Sequence, residues 1–155
     1  MKWKLPPEIK IYEALSAVAD NRIEVRGNDA MVHSARSDAP YQVHYNPDRQ
    51  EIMSNDKGAF WQRYVGYPAI AFLLKSGVIQ YDQIYAAALS GLNWKEIKSQ
   101  FGEDYERTAE HVHELLRQKG ISIDGFAMEI DKIAVQIEKL DLSMYGAPAK
   151  PPAGY

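Results

Sequence analysis

The stretch from Arg22 to Ser54 constrains the fold most. Polar and apolar residues alternate along it, and two turn sequences, Gly27-Asn28 and Asn46-Pro47-Asp48-Arg49, interrupt the alternation. A two-residue turn containing glycine tolerates positive φ and closes a hairpin, and proline at the second position favours a type I turn. Strands are predicted over about Arg22–Arg26, Asp29–Ala35, Tyr41–Tyr45 and Gln50–Ser54, with a looser connection at 36–40. The first turn sets the register, Val25 facing Ala30 and Ile23 facing Val32. Ile23, Val25, Val32, Tyr41, Val43, Tyr45 and Ile52 then share a dry face, and Arg22, Glu24, Met31, His33, Gln42, His44 and Glu51 a wet one. The expected sheet is a four-stranded antiparallel meander.

Helical signals flank it. Pro6-Pro7 precede Ile9, Tyr12, Leu15 and Val18 at helical spacing, which predicts a first helix over about Pro7–Ala19. Ser54-Asn55-Asp56 is a helix-start signal for about Gly58–Val65. After Gly66-Tyr67, Pro68 opens a helix to Ser76, stopped by Gly77 at a left-handed position. Asp82 is placed to cap Gln83–Ser90, and Asn93 with Glu96 to cap Trp94–Phe101. Two longer helices are predicted over Glu103–Lys119 and, capped by Asp124, to about Leu140. Phe126, Ile130, Ile133, Ile137 and Leu140 form a narrow stripe on the last one. That stripe suits a helical hairpin, or a homodimer seam through the C-terminal helix.

The fold class is therefore α+β: an N-terminal helix, the meander, then a mainly helical C-terminal half ending in a helical hairpin. Residues 1–144 read as one domain, 1–78 carrying the sheet and 79–144 the helical extension. The Ala-, Pro- and Gly-rich 145–155 reads as a disordered tail. The net charge of −3 argues against a general attraction to nucleic acid or anionic membrane. Residues 1–78 carry ten Lys/Arg against nine Asp/Glu and residues 79–155 eight against twelve, so the first half is the better place for an anionic ligand. The chain has no cysteine, which excludes disulfides, thiolate zinc sites and cysteine nucleophiles. MKWKLPPEIK lacks the apolar run of a signal peptide, and no uncharged run approaches membrane-spanning length, so a soluble cytoplasmic protein with no membrane partner is expected.

Four histidines raise the question of a metal. His33 and His44 share the wet face, and with Glu51 opposite His44 they compose a two-histidine, one-carboxylate set; solvated sheet-surface residues are the simpler reading, and no cofactor is expected. His111 and His113 stand about 200° apart on a helix and cannot share one ion. No nucleophile elbow or glycine-rich phosphate loop is present, so no catalytic residue is assigned and a non-enzymatic protein is expected. Phe60, Trp61, Tyr64, Tyr67 and Phe72 offer either base stacking or core packing against Tyr41 and Tyr45, and core packing is the expected role.

Residues 23–74 resemble a SWIM-type zinc-finger domain. Val32-His33-Ser34 and Tyr41-Gln42-Val43 match its strand pair, and Pro68-Ala69-Ile70-Ala71-Phe72-Leu73-Leu74 looks like its proline and apolar helix. Ala69 and Ala71 stand where the family has cysteine and histidine, and the first ligand pair, near Ile52–Asn55, contains no cysteine. The resemblance implies a SWIM-like fold without zinc, its metal replaced by apolar packing.

Three functions follow. The first is a non-enzymatic protein-interaction or adaptor module with a protein partner. The second, implied by the resemblance, is nucleic-acid binding through Arg22, Arg26, Arg36, Arg49, Lys57 and Arg63. The third is a small-molecule or anion site at Asn55, Asp56, Lys57, Trp61 and Tyr67.

Overall fold

The computed structural model describes residues 1–34 and 39–152. The expected strand end at Ala35, the candidate Arg36 and the tail residues 153–155 lie outside the described residues. The elements run α1 (Glu8–Ala19), β1 (Ile23–Arg26), β2 (Asp29–Val32), β3 (Tyr41–Asn46), β4 (Glu51–Ser54), a π-helical turn (Gly58–Gln62), α2 (Tyr67–Lys75), α3 (Gln83–Ala88), α4 (Trp94–Phe101), α5 (Tyr105–Gln118), α6 (Ile123–Leu140) and β5 (Ser143–Met144). Residues 146–152 form no helix or strand.

The meander has the expected order and its first hairpin the expected register, with Val25 opposite Ala30 and Ile23 opposite Val32. Gly27 takes the left-handed conformation that this turn requires, at φ 63°. The dry face is buried as expected except for Val25, which stays exposed on edge strand β1. The sheet has five strands rather than four. Both chain ends meet at the edge of β4: Ser143 N donates to Gln50 O at 2.9 Å, Tyr145 N to Ile52 O at 3.1 Å and Met144 N to Met1 O at 2.8 Å, which makes β5 a short parallel partner of β4.

Helix α2 lies against β1, β2, β3 and β4 on one side and against α1 on the other. Every residue from Pro68 to Leu74 is buried, as an all-round apolar segment requires. Helix α1 in turn meets α3, α5 and α6. Of the stripe on α6, Phe126, Ile130, Ile133 and Ile137 are buried in this core and Leu140 is half-buried, so the surface offered as an alternative dimer seam is largely covered within the chain.

Caps fall largely where the sequence places them. Asp82 Oδ1 accepts from Ile84 N at 3.0 Å, and Asn93 Oδ1 from Glu96 N at 3.1 Å. Helix α6 is capped by Ser122 rather than Asp124: Ser122 Oγ accepts from Gly125 N at 3.1 Å, and Asp124 lies in the first turn, where its charge suits the helix dipole. The helix expected over Gly58–Val65 is a five-residue π-helical turn, ended by Arg63 at φ 61°.

That turn rests on a buried acid. Asp56 accepts from Ser54 Oγ at 2.6 Å and from Ala59 N at 3.1 Å, and burial raises its carboxyl above the ordinary range. The backbone of Gly66 passes directly over the Asp56 carboxylate, and a Cβ there would collide with it. Gly66 has an ordinary extended conformation, so alanine is excluded by contact alone. Gly66→Ala is expected to destabilise the protein by about 1–3 kcal/mol, the range for overpacking. Urea unfolding of Gly66→Ala, Asp56→Ala and the double variant checks this: the double variant should lose clearly less than the two single losses combined, and strict additivity would contradict the contact.

Candidate functional site

The structure separates the two-histidine, one-carboxylate set His33, His44 and Glu51. His44 pairs across β3–β4 with Met53, not Glu51, because the four-residue turn places Glu51 opposite Asn46. Across β2–β3, His44 faces Asp29 at the far end from His33. His44 Nδ1 lies 3.0 Å from Asp29 Oδ1, and His33 Nε2 lies 3.6 Å from Glu24 Oε1. Among the described residues no three His, Asp or Glu side chains are grouped to hold a metal ion. His111 stacks on Phe101, and His113 Nε2 lies 3.0 Å from the Tyr12 hydroxyl.

The arginines proposed for nucleic acid also part company. Arg22 lies in a cleft beside Tyr67, whereas Arg49 pairs with Glu51 at 3.4 Å on the β3–β4 turn. Arg63 lies against the Phe60 ring at 5.8 Å, and Arg26 ends the exposed first hairpin. The ligand group proposed around Asn55 is split as well. Asn55 accepts from Gln42 N at 2.7 Å and Asp56 is buried beneath the π-helical turn, both structural roles, while Lys57, Trp61 and Tyr67 line open clefts.

Those clefts are two and they adjoin. The smaller, about 400 Å³, lies between the sheet, α2 and α4 and is lined by Arg22, Lys57, Lys95 and Lys98 with Tyr41, Tyr67 and Trp94; Glu13 is its one acid among the described residues. The larger, about 980 Å³, is lined by Lys4, Lys10, Lys57 and Lys98 with Trp61, Tyr64 and Tyr105, and Glu103 is its one acid among the described residues. Lys57 and Lys98 belong to both. Six cations thus face two carboxylates in a chain whose net charge is −3.

A buried ion group anchors this arrangement. Glu13, in the core-facing part of α1, is 2 % exposed. Lys98 Nζ of α4 lies 2.7 Å from its Oε1, and Lys10 Nζ lies 3.3 Å from its Oε2. Burial alone would raise the Glu13 carboxyl, but the two ammoniums outweigh it and hold the group below the ordinary carboxylate range. Burial would likewise lower Lys10, and Glu13 overrides that to raise it. The lysines also stack: Lys98 lies 5.8 Å from the Tyr67 ring centre and Lys10 5.8 Å from that of Tyr105. Burial raises the phenols of Tyr64 and Tyr67, so both stay neutral hydrogen-bonding groups at ordinary pH. Lys4, Lys57 and Lys95, by contrast, have no ion pair among the described residues.

Sequence reasoning missed Lys4, Lys10, Lys95, Lys98 and Glu13. A signal existed for part of it: Lys10 and Glu13 are three apart on the first helix, the spacing of a helical ion pair. Lys95 and Lys98 come from the half with the acidic balance, which hid them.

Residues 3–143 match the family described as uncharacterised conserved protein UCP014422, and the chain belongs to that family. No curated protein and no solved structure matches the chain. Among the described residues no helix is long and apolar enough to cross a membrane.

Glu13→Gln leaves Lys10 without its buried counter-charge and is expected to cost about 3 kcal/mol at neutral pH. A carboxyl whose folded pKa is depressed contributes stability above its unfolded value, here 4.5, and loses it as pH falls through the lower folded value. The gap between wild type and Glu13→Gln should therefore hold from neutral pH down to about pH 5 and shrink below that. Urea titrations at several pH values check it; a gap that stays constant into strong acid would contradict the ion group.

Proposed function

We propose that this protein binds a small phosphate-bearing anion in the adjoining clefts, with Lys57 and Lys98 as the central contacts. The observation that carries this is their shared position: two ammoniums line both clefts, and one of them has no carboxylate partner among the described residues. Like charges gathered around a concave, partly apolar wall repel one another, and an anion between them removes that repulsion. Lysine presents a mobile point charge with three donors, which suits phosphate oxygens approached from several sides. Arg22 also lines the smaller cleft, its guanidinium held in place by Nη1 donating to His33 O at 2.8 Å. The cleft volumes fall in the range of small-ligand sites.

The adaptor reading drew on the apolar stripe of α6, and that stripe is core. The nucleic-acid reading drew on Lys57 and on arginines of which the described ones, Arg22, Arg26, Arg49 and Arg63, lie apart from one another. Lys57 lies within the span 23–74 that resembles SWIM but in none of its matched motifs, and Lys98 lies outside the span, so the phosphate reading does not draw on that resemblance.

Titration calorimetry with inorganic pyrophosphate tests the proposal. Wild type should bind saturably, Lys57→Ala at least about fivefold more weakly, as expected for loss of one charge-assisted contact, and Arg49→Ala like wild type. Absence of binding, or equal effects of the two substitutions, would overturn it.

A further inference from the structure

Trp61 stands out beside the basic cleft. It is 68 % exposed, although tryptophan is normally among the more buried residues. It lies on the π-helical turn, four residues after Lys57, and lines the larger cleft with Lys4, Lys57 and Lys98. The Phe60 ring meets it edge-on, with centres 4.8 Å apart and planes at 86°, so the indole is braced from within the same turn. A braced, solvent-facing indole at the rim of a cationic cleft offers a flat apolar surface next to phosphate-binding charge. Trp61 is therefore positioned to receive a planar ring attached to a phosphate.

We propose that the occupant of the clefts is a nucleoside phosphate, its phosphates held between Lys57 and Lys98 and its base stacked on Trp61. This rests on the phosphate-binding reading and names its ligand class. Stacking on an aromatic side chain accepts any base, because every base has a π-face. The charges favour a small ligand over a long strand. Six basic residues line the clefts, while Arg26 and Arg49 lie on the sheet hairpins and Arg49 is paired with Glu51, so among the described residues the cationic surface does not continue as a track. The chain's net charge of −3 also works against a long polyanion.

Calorimetry with two probes, inorganic tripolyphosphate and ATP, in magnesium-free buffer at matched ionic strength, tests the stacking. Wild type should bind ATP about tenfold tighter than tripolyphosphate, the size of one stacking contact. Trp61→Ala should remove that difference while leaving tripolyphosphate affinity unchanged, and Trp61→Phe should restore part of it. Equal affinities for the two probes in wild type, or equal weakening of both by Trp61→Ala, would overturn the base-stacking site while leaving phosphate binding intact. Failure of both probes to bind would overturn the phosphate reading and this one with it. A twelve-residue oligothymidylate that binds much more tightly than ATP, with affinity falling steeply in salt, would overturn the small-ligand assignment in favour of a single strand.

Discussion

Helix α2 is apolar on every side, and a helix of that kind has to be enclosed. The sheet covers one side of it and α1 the other, and this enclosure sets the positions of most other elements. Its seven residues Pro68–Leu74 leave no surface for solvent or for a partner. A structural zinc stabilises small modules that lack a core of their own. Here the later helices complete a continuous core, in which Ala69 and Ala71 are buried. Because α1 is wedged between α2 and the C-terminal helices, a charged residue on its inner side is largely cut off from water. Glu13 is that residue, and the two lysines beside it are what make its burial tolerable.

The ion group links core to cleft. Lys10 and Glu13 belong to α1, and Lys98 reaches them from α4, so the pairing ties α4 to the central layer and sets one wall of both clefts. Lys98 is partly committed to Glu13 and partly open to solvent, its ammonium resting near the Tyr67 ring. Lys57 comes to the same place from the opposite wall, at the start of a turn held in shape by the buried Asp56. The basic surface therefore stands on two buried carboxylates with opposite behaviour. Glu13 is held ionised by its lysines, and Asp56 is pushed toward its neutral form by burial.

The sheet was legible because its two causes are local. Alternation assigns faces, and a two-residue turn leaves the first hairpin a single register, which the pairing of Val25 with Ala30 reproduces. The second turn is longer, and the error there, Glu51 set against His44, is a slip across a four-residue connection that periodicity alone does not resolve. Strand β5 was invisible for a different reason: two residues have no period, and Ser143 and Met144 pair because the chain ends meet there. The cleft was the least legible part. Lys57, Trp61 and Tyr67 were singled out, but Lys10, Arg22, Lys95 and Lys98 reach them only through tertiary packing, from about 30 to 60 residues away in the chain. A charge balance taken by halves assigned Lys95 and Lys98 to an acidic surface, whereas the fold sets them against the basic wall.

The most direct measurement is a residue-resolved NMR titration of the ¹⁵N-labelled protein with pyrophosphate. The account predicts saturable shifts concentrated at the backbone amides of Lys57–Gln62 and Trp94–Ser99, the two walls that carry Lys57 and Lys98. Shifts confined to the wet face of the sheet around His33 and His44, or no saturable shift at all, would contradict it.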